Sequence, residues 1–427
     1  MSPEASPPPP RESLASWLGI NRAMLAVLVI TLGLGLTEEL WRNFIAIHLQ
    51  ITTEDLNAAV GYVGVLACLV NLCEGFGYIL GGTVAHRLGP RIALAASAAP
   101  MVAGFLLMLF CRQPWAIVLG ALLYSNWEPL SVPATFDVVG SEVPKDRRTI
   151  AFAVQSIHKR LPKVLGPLIG TLAFAVGFWL NLTLAFAVLV VAVTVQWALA
   201  SRMKPKPDPD PIPLKEVLRR IPPDLRMLLT AEILLRWGDW FVRDFAALYV
   251  VYHLSRFADP SGYVPGKNTW GYWPMWTSLV ALVTYIPVGK LVDQATSPKP
   301  YIGLTFFLFA AFPFCLVLLP RTGMPLLLAL LIAFGVNGLR ELGEPARKSL
   351  IAAGFPKEIR ARGIGLYWGL RSFCFFPAPL VAWFLWTHPA IGPDLTFLIG
   401  GTVGLLGTAW FWLRVRCRTD APAPAKT

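Results

Sequence analysis

Apolar runs long enough to cross a bilayer recur along this chain, and that recurrence constrains the fold more than any single motif. A helix needs about 20 predominantly apolar residues to span a hydrocarbon core of ~30 Å. Twelve stretches qualify, at roughly 21–49, 58–85, 91–111, 115–140, 149–176 and 179–201, then at 225–254, 269–292, 299–319, 325–350, 359–386 and 394–415. Polar surface is correspondingly scarce: 15% of the 427 residues are charged, against roughly 25% in a soluble domain. A soluble globular protein is excluded. The expected fold class is an all-α integral membrane protein with twelve transmembrane helices.

Between the sixth and seventh spans lies Lys204-Pro205-Lys206-Pro207-Asp208-Pro209-Asp210-Pro211-Ile212-Pro213, a linker too polar and Pro-laden to cross a membrane. It divides the chain into an N-terminal six-helix bundle (21–201), a cytoplasmic linker (202–223) and a C-terminal six-helix bundle (224–415). Residues 1–20 and 416–427 are expected to be cytoplasmic tails, the first of them disordered. With the N-terminus inside, 23 Lys and Arg fall on inner segments and four (Arg112, Arg256, Lys267, Arg321) on outer loops. Positive loops stay cytoplasmic, so both termini are placed there, in a bacterial cytoplasmic membrane. The formal charge of +12 is then a topology signal suited to an anionic inner leaflet, and no nucleic-acid partner is expected. The six cysteines and five histidines show no ligand spacing, so neither metal nor cofactor is expected. Phosphate-binding Gly loops, HExxH and GxSxG are missing from the sequence, which argues against an enzyme.

The two halves repeat. Glu38…Arg42-Asn43-Phe44 matches Asp239…Arg243-Asp244-Phe245 at an offset of 201, and Pro133-Ala134…Lys159 matches Pro345-Ala346…Arg371 at 212. Six plus six helices in the same topology make a pseudo-symmetric pair of bundles, with a substrate path between them.

The loop after the second span reads Gly82-Thr83-Val84-Ala85-His86-Arg87-Leu88-Gly89-Pro90-Arg91. It resembles the Gly-x-x-x-Asp-Arg-x-Gly-Arg-Arg motif of the major facilitator superfamily, with a weaker second copy at Gly289…Asp293. The resemblance covers about 21–415. It implies that fold, secondary active transport by rocker-switch alternating access, and a gating role for Gly82, His86, Arg87, Gly89, Arg91 and Asp293. His86 stands where the motif has Asp, which implies a weaker or pH-sensitive cytoplasmic lock. Gly166-Pro167-Leu168-Ile169-Gly170 resembles a fragment of that family's exporter motif and implies a bending, closely packed helix. Gly166, Pro167 and Gly170 join the gating set, and export is favoured over import.

Charges inside the spans are costly and therefore face a cavity or a partner. Ten bases and ten acids lie there. Glu38 and Arg42, and Asp239 and Arg243, are four residues apart, so each pair is expected on one helical face. Glu38, Glu39, Glu74, Asp239, Asp244 and Glu341 are candidates for proton coupling, since desolvation and a neighbouring Arg pull a carboxyl pKa in opposite directions. Pairs that merely tie helices together are the competing reading. Arg42, Glu128, Lys159, Arg236, Arg243, Arg340 and Arg371 are candidates for substrate binding, with Lys159 and Arg371 at equivalent places in the two halves. Trp237 and Trp240 flank Asp239 and join them, although most aromatic residues nearby suit an interfacial belt. The expectation is a monomeric, proton-coupled carrier of a charged or amphipathic small molecule. The alternatives are uptake of an organic anion or metal complex, and a non-transporting receptor or assembly factor on the same fold.

Overall fold

The computed structural model describes residues 22–96, 98–125, 127, 129, 158, 160–199, 213–256, 262–295, 297–356 and 360–416. Within these, side chains at 22–23, 80–91, 93–96, 285–286, 288–290, 292–294, 345, 349, 352–353 and 360–361 are outside the description. All regular structure among the described residues is helical.

Helix α1 (Arg22–Trp41) passes through a 3-10 turn at Arg42–Phe44 into α2 (Ile45–Thr53). It is followed by α3 (Leu56–Ala96), α4 (Ala98–Phe110), α5 (Pro114–Tyr124), α6 (Leu161–Val176) and α7 (Phe178–Leu199). After the short α8 (Leu214–Arg219) come α9 (Pro223–Trp240), α10 (Tyr272–Gln294), α11 (Lys299–Leu318), α12 (Leu326–Leu339), α13 (Glu344–Ala353), α14 (Arg360–Phe375), α15 (Ala378–Thr387) and α16 (Gly392–Arg414). Proline opens many of them, at Pro114, Pro162, Pro223 and Pro393 among others. There its fixed φ suits the first turn and its missing N–H costs nothing.

Six helical stretches among the described residues are long and apolar enough to cross a membrane: Met24–Thr53, Leu56–Ile79, Phe178–Leu199, Lys299–Arg321, Arg362–Thr387 and Gly392–Arg414. Other predicted spans appear as shorter apolar helices, α4, α5, α6 and α12. Two expectations change here. The predicted loop at Gly82–Arg91 has helical backbone, because α3 runs unbroken from Leu56 to Ala96; of its residues only Pro90 opposes helix strongly. Several predicted single spans are instead broken, at Arg42–Phe44, at 241–245, at 340–343 and at 376–377.

Close approach holds the bundle together. Gly238 of α9 lies against the backbone of Gly400 and Gly404 in α16, where a methyl would collide with the Gly400 carbonyl. Small residues permit such contacts between membrane helices. The fully buried Asn181 of α7 donates to Leu40 O (2.6 Å) and Gly170 O (2.9 Å), tying α7 to α1 and α6. The two halves of the chain meet where α3 packs on α14 and α15, with Gly75 against Phe373 and Gly64 against Pro379 and Trp383. They meet again where α6 packs on α10, and where α2 meets Ala246–Leu248. Phe110, Leu172, Val176, Phe384 and Leu413 are all more than three-fifths exposed. An outer surface this apolar suits lipid rather than water.

A candidate site between two broken helices

The cavity sits where the repeats of the sequence coincide in space. α1 ends at Trp41 and the chain turns through Arg42, Asn43 and Phe44; α9 ends at Trp240 and the chain turns through 241–245. Broken helices expose backbone and side chains that a continuous helix would direct elsewhere, which is how midplane sites are built in membrane carriers. A cavity of about 170 Å³ opens between these breaks. Its polar lining is Glu39, Arg42 and Asn43 from the first break, Arg243 and Asp244 from the second, and Ser125. The α3 residues Val63, Leu66, Ala67 and Val70 form an apolar wall, and Trp270 also lines the cavity. Trp270 Nε1 donates to Asn43 O at 2.7 Å, joining the two halves beside the cavity.

Most of the predicted charged residues have a place among the described residues. Glu38 pairs with Arg42 as expected, and Trp127 Nε1 donates to the other Glu38 oxygen at 3.0 Å. Glu39 accepts from Asn43 Nδ2 at 2.9 Å, and Lys163 lies within electrostatic range of it. Glu74 and Asp244 both act electrostatically on Arg42. Gly166 packs against Glu39, and Gly170 against Phe44 and the Leu40 carbonyl, so the Gly-Pro segment of α6 seats the charged part of α1. The Pro167 carbonyl accepts from Thr171 at 2.7 Å. Glu128 and Lys159 lie outside the described residues, and so do the side chains of Gly82, His86, Arg87, Gly89, Arg91 and Asp293.

The expected Asp239–Arg243 pair is not formed. Asp239 is buried and accepts from Arg340 (2.7 Å) and Arg236 (3.1 Å). Arg243 still stands one turn on, its N–H bonded to the Asp239 carbonyl at 2.9 Å, and it acts on Asp239 through space; both carboxylate oxygens are already taken by Arg340 and Arg236. Arg243 instead lies 5.1 Å over the Trp240 ring, a cation–π contact, and is exposed to the cavity. Trp240 itself is buried and stacks on Phe375 at 5.9 Å, while Trp237 donates to Cys374 O. Neither tryptophan lines the cavity.

A second charged cluster lies deeper along α9, about two turns before Asp239. Buried Glu232 meets Arg347 at 2.7 Å and Arg371 at 3.1 Å, and Arg347 also meets Glu344 at 2.6 Å. Arg236, Arg340 and Arg371, expected on a substrate anion, are therefore each held by a protein carboxylate. Glu232 and Arg347 are not among the candidates the sequence offered; they lie on separate helices, α9 and α13, and nothing in the sequence signals that these meet. Glu341 is paired across the halves, with Arg160 at 3.2 Å.

The sequence matches the model of the Major Facilitator Superfamily over residues 23–379. It is similar to the Uncharacterized MFS-type transporter Rv0849 of Mycobacterium tuberculosis, 24% identical over 171 residues. That match spans 40% of this chain and 40% of the length of the relative. In fold it is similar to the peptide transporter POT crystallised in complex with sulfate, with a TM-score of 0.71 and 14% identity over 92% of this chain and 94% of that one. It is similar too to the nucleoside transporter NupG, with a TM-score of 0.72 and 12% identity over 91% and 99% of the two chains.

Proposed function

We propose, from the premise that this chain belongs to the Major Facilitator Superfamily, that it carries a small charged solute across the membrane through the cavity between its two broken helices. It is a multi-pass membrane protein of the secondary transporter class. The single observation that supports the cavity as the cargo site is its lining: Glu39 and Arg42 from one repeat and Arg243 and Asp244 from the other surround about 170 Å³ of space. Charge placed at this depth is costly unless it serves a partner or a cargo. Alternating access then follows from rocking of bundles 21–201 and 224–415 about the cavity, with both termini cytoplasmic and the protein acting as a monomer in a bacterial cytoplasmic membrane.

Proton coupling is the energy source we infer. Glu39 is the best placed carrier, because it lines the cavity and its hydrogen-bond partner is the Asn43 amide rather than a guanidinium. Asp239 and Glu341 are held by arginines, which favours a tying role for them. The Gly166-Pro167-Leu168-Ile169-Gly170 segment supports export. Proteoliposomes test the reading. Saturable solute flux driven by an imposed pH gradient, and lost in Glu39→Gln, is the expected result. Flux indifferent to that gradient overturns the coupling, and ligand binding with no flux of any solute favours a receptor.

A further inference from the structure

The two charges at the second break are open. Among the described residues, no carboxylate or carbonyl accepts a hydrogen bond from the Arg243 guanidinium, which lies over the face of Trp240 and acts on Asp239 only through space. Among the described residues no donor hydrogen-bonds the Asp244 carboxylate, on which Arg42 acts only through space. Both line the cavity, and they are neighbours in sequence. The other two charged lining residues are engaged: Arg42 with Glu38, and Glu39 with Asn43.

Resting on the reading of this cavity as the cargo site, we infer that the cargo is a small zwitterion of the α-amino-acid type, its carboxylate on Arg243 and its ammonium group on Asp244. Three considerations lead here. A guanidinium offers a planar fork of donors that matches a carboxylate, and charge-assisted bonds of this kind are the strong ones. An aspartate accepts from an ammonium group in the same way. The four charged lining groups comprise two of each sign. A cargo of zero net charge keeps that balance, whereas a simple anion is opposed by Asp244 and a simple cation by Arg243. Size agrees: about 170 Å³ is smaller than the usual site for a drug-sized ligand and excludes long chains.

The test uses the purified full-length protein and the twenty standard α-amino acids, each compared with its N-acetyl form (no cation) and its amide (no anion). Thermal stabilisation reads binding, and counterflow in proteoliposomes reads transport. At least one free amino acid is expected to bind and exchange, with affinity weakened about tenfold or more in either blocked form. Arg243→Ala is expected to weaken the amino acid but leave its amide unchanged, and Asp244→Asn to weaken the amino acid but leave the N-acetyl form unchanged. Because neither side chain holds a hydrogen bond, both variants keep the ligand-free melting temperature, which separates lost binding from misfolding. Exchange of a simple anion or cation, with no amino acid bound, overturns this inference and leaves the transporter reading standing. Flux of no solute at all overturns both.

Discussion

Arg160 Nη2 meets Glu341 Oε2 at 3.2 Å and so joins the start of α6 to the break between α12 and α13. The pair ties the N-terminal half of the chain to the C-terminal half. Neither side chain is fully buried, at 16% and 32% exposed, so the pair can be separated at less cost than the buried Glu232 cluster. Under the proposed alternating access, such a contact would form and break as the halves rock. Glu341→Gln is expected to leave the melting temperature within a few degrees of the parent. It should increase the labelling rate of a single cysteine placed in the cavity, read with a membrane-impermeant thiol reagent from each side in turn. The swap Arg160→Glu with Glu341→Arg should return labelling toward the parent rate. If Glu341→Gln labels as the parent does, the pair is not a gate.

Glu232 is the opposite case. It is 1% exposed and serves Arg347 and Arg371 together. Glu232→Gln leaves the Arg371 guanidinium without its carboxylate and Arg347 with Glu344 alone, and breaking a buried pair in this way costs about 3–5 kcal/mol. The expected outcome is a large fall in melting temperature in detergent, together with poor recovery of folded protein. Arg243→Ala in the cavity should show neither effect. Equal stability losses in the two variants would erase the distinction between the structural cluster and the cargo site.

The cavity was half legible in the sequence. The offset of 201 aligns Arg42-Asn43 with Arg243-Asp244, and these are the residues that meet around the cavity. The pairing within each repeat was legible only where no distant arginine competes for the carboxylate. Glu38 finds Arg42, but Asp239 takes Arg340, 101 residues away, and Arg236, which leaves Arg243 without a carboxylate oxygen to meet there. Helix breaks at Arg42–Phe44 and 241–245 contain neither Gly nor Pro, so tertiary contacts and not local propensity set them. Trp270 illustrates a different limit. An aromatic residue near a span end reads as part of an interfacial belt, and only the fold shows its indole bonded to Asn43 in the other half.

At the end of the seventh predicted span farther from the linker, Asp394 gathers three partners from neighbouring elements. Tyr249 Oη donates to it at 2.5 Å, His253 Nε2 lies at 3.1 Å, and Arg321 pairs with its second oxygen. Tyr249 and His253 belong to a π-helical turn, Tyr249–His253, a geometry that survives where surrounding contacts fix it. Asp394→Asn keeps the shape and removes the charge. It is expected to destabilise by about 1–2 kcal/mol, since hydrogen bonds to a charged group are among the stronger ones and this site is partly exposed. Faster amide exchange should appear at 246–256 without change at Glu232 or Arg347. Unchanged exchange there would mean that packing on Trp386 and Phe397 holds the turn instead.

The last prediction separates glycines that must be glycine from those that need not be. At Gly166 an added methyl overlaps Glu39 Cβ and presses on the α1 backbone; neither can yield without moving the cavity-lining segment Glu39–Asn43. Gly335, inside α12, faces only Trp276 Nε1 at 3.7 Å, an ordinary contact distance. Gly335→Ala is expected to be neutral or to stabilise by about 0.5–1 kcal/mol, because alanine restricts the unfolded chain. Gly166→Ala is expected to cost about 1–3 kcal/mol through overpacking and to lower solute affinity as well, since it displaces Glu39. Melting curves and binding isotherms on the two variants decide the matter. A Gly166→Ala protein with parent stability and parent affinity would mean that α1 and α6 are not held at this close approach, and that the Gly-Pro segment does not position the charged break.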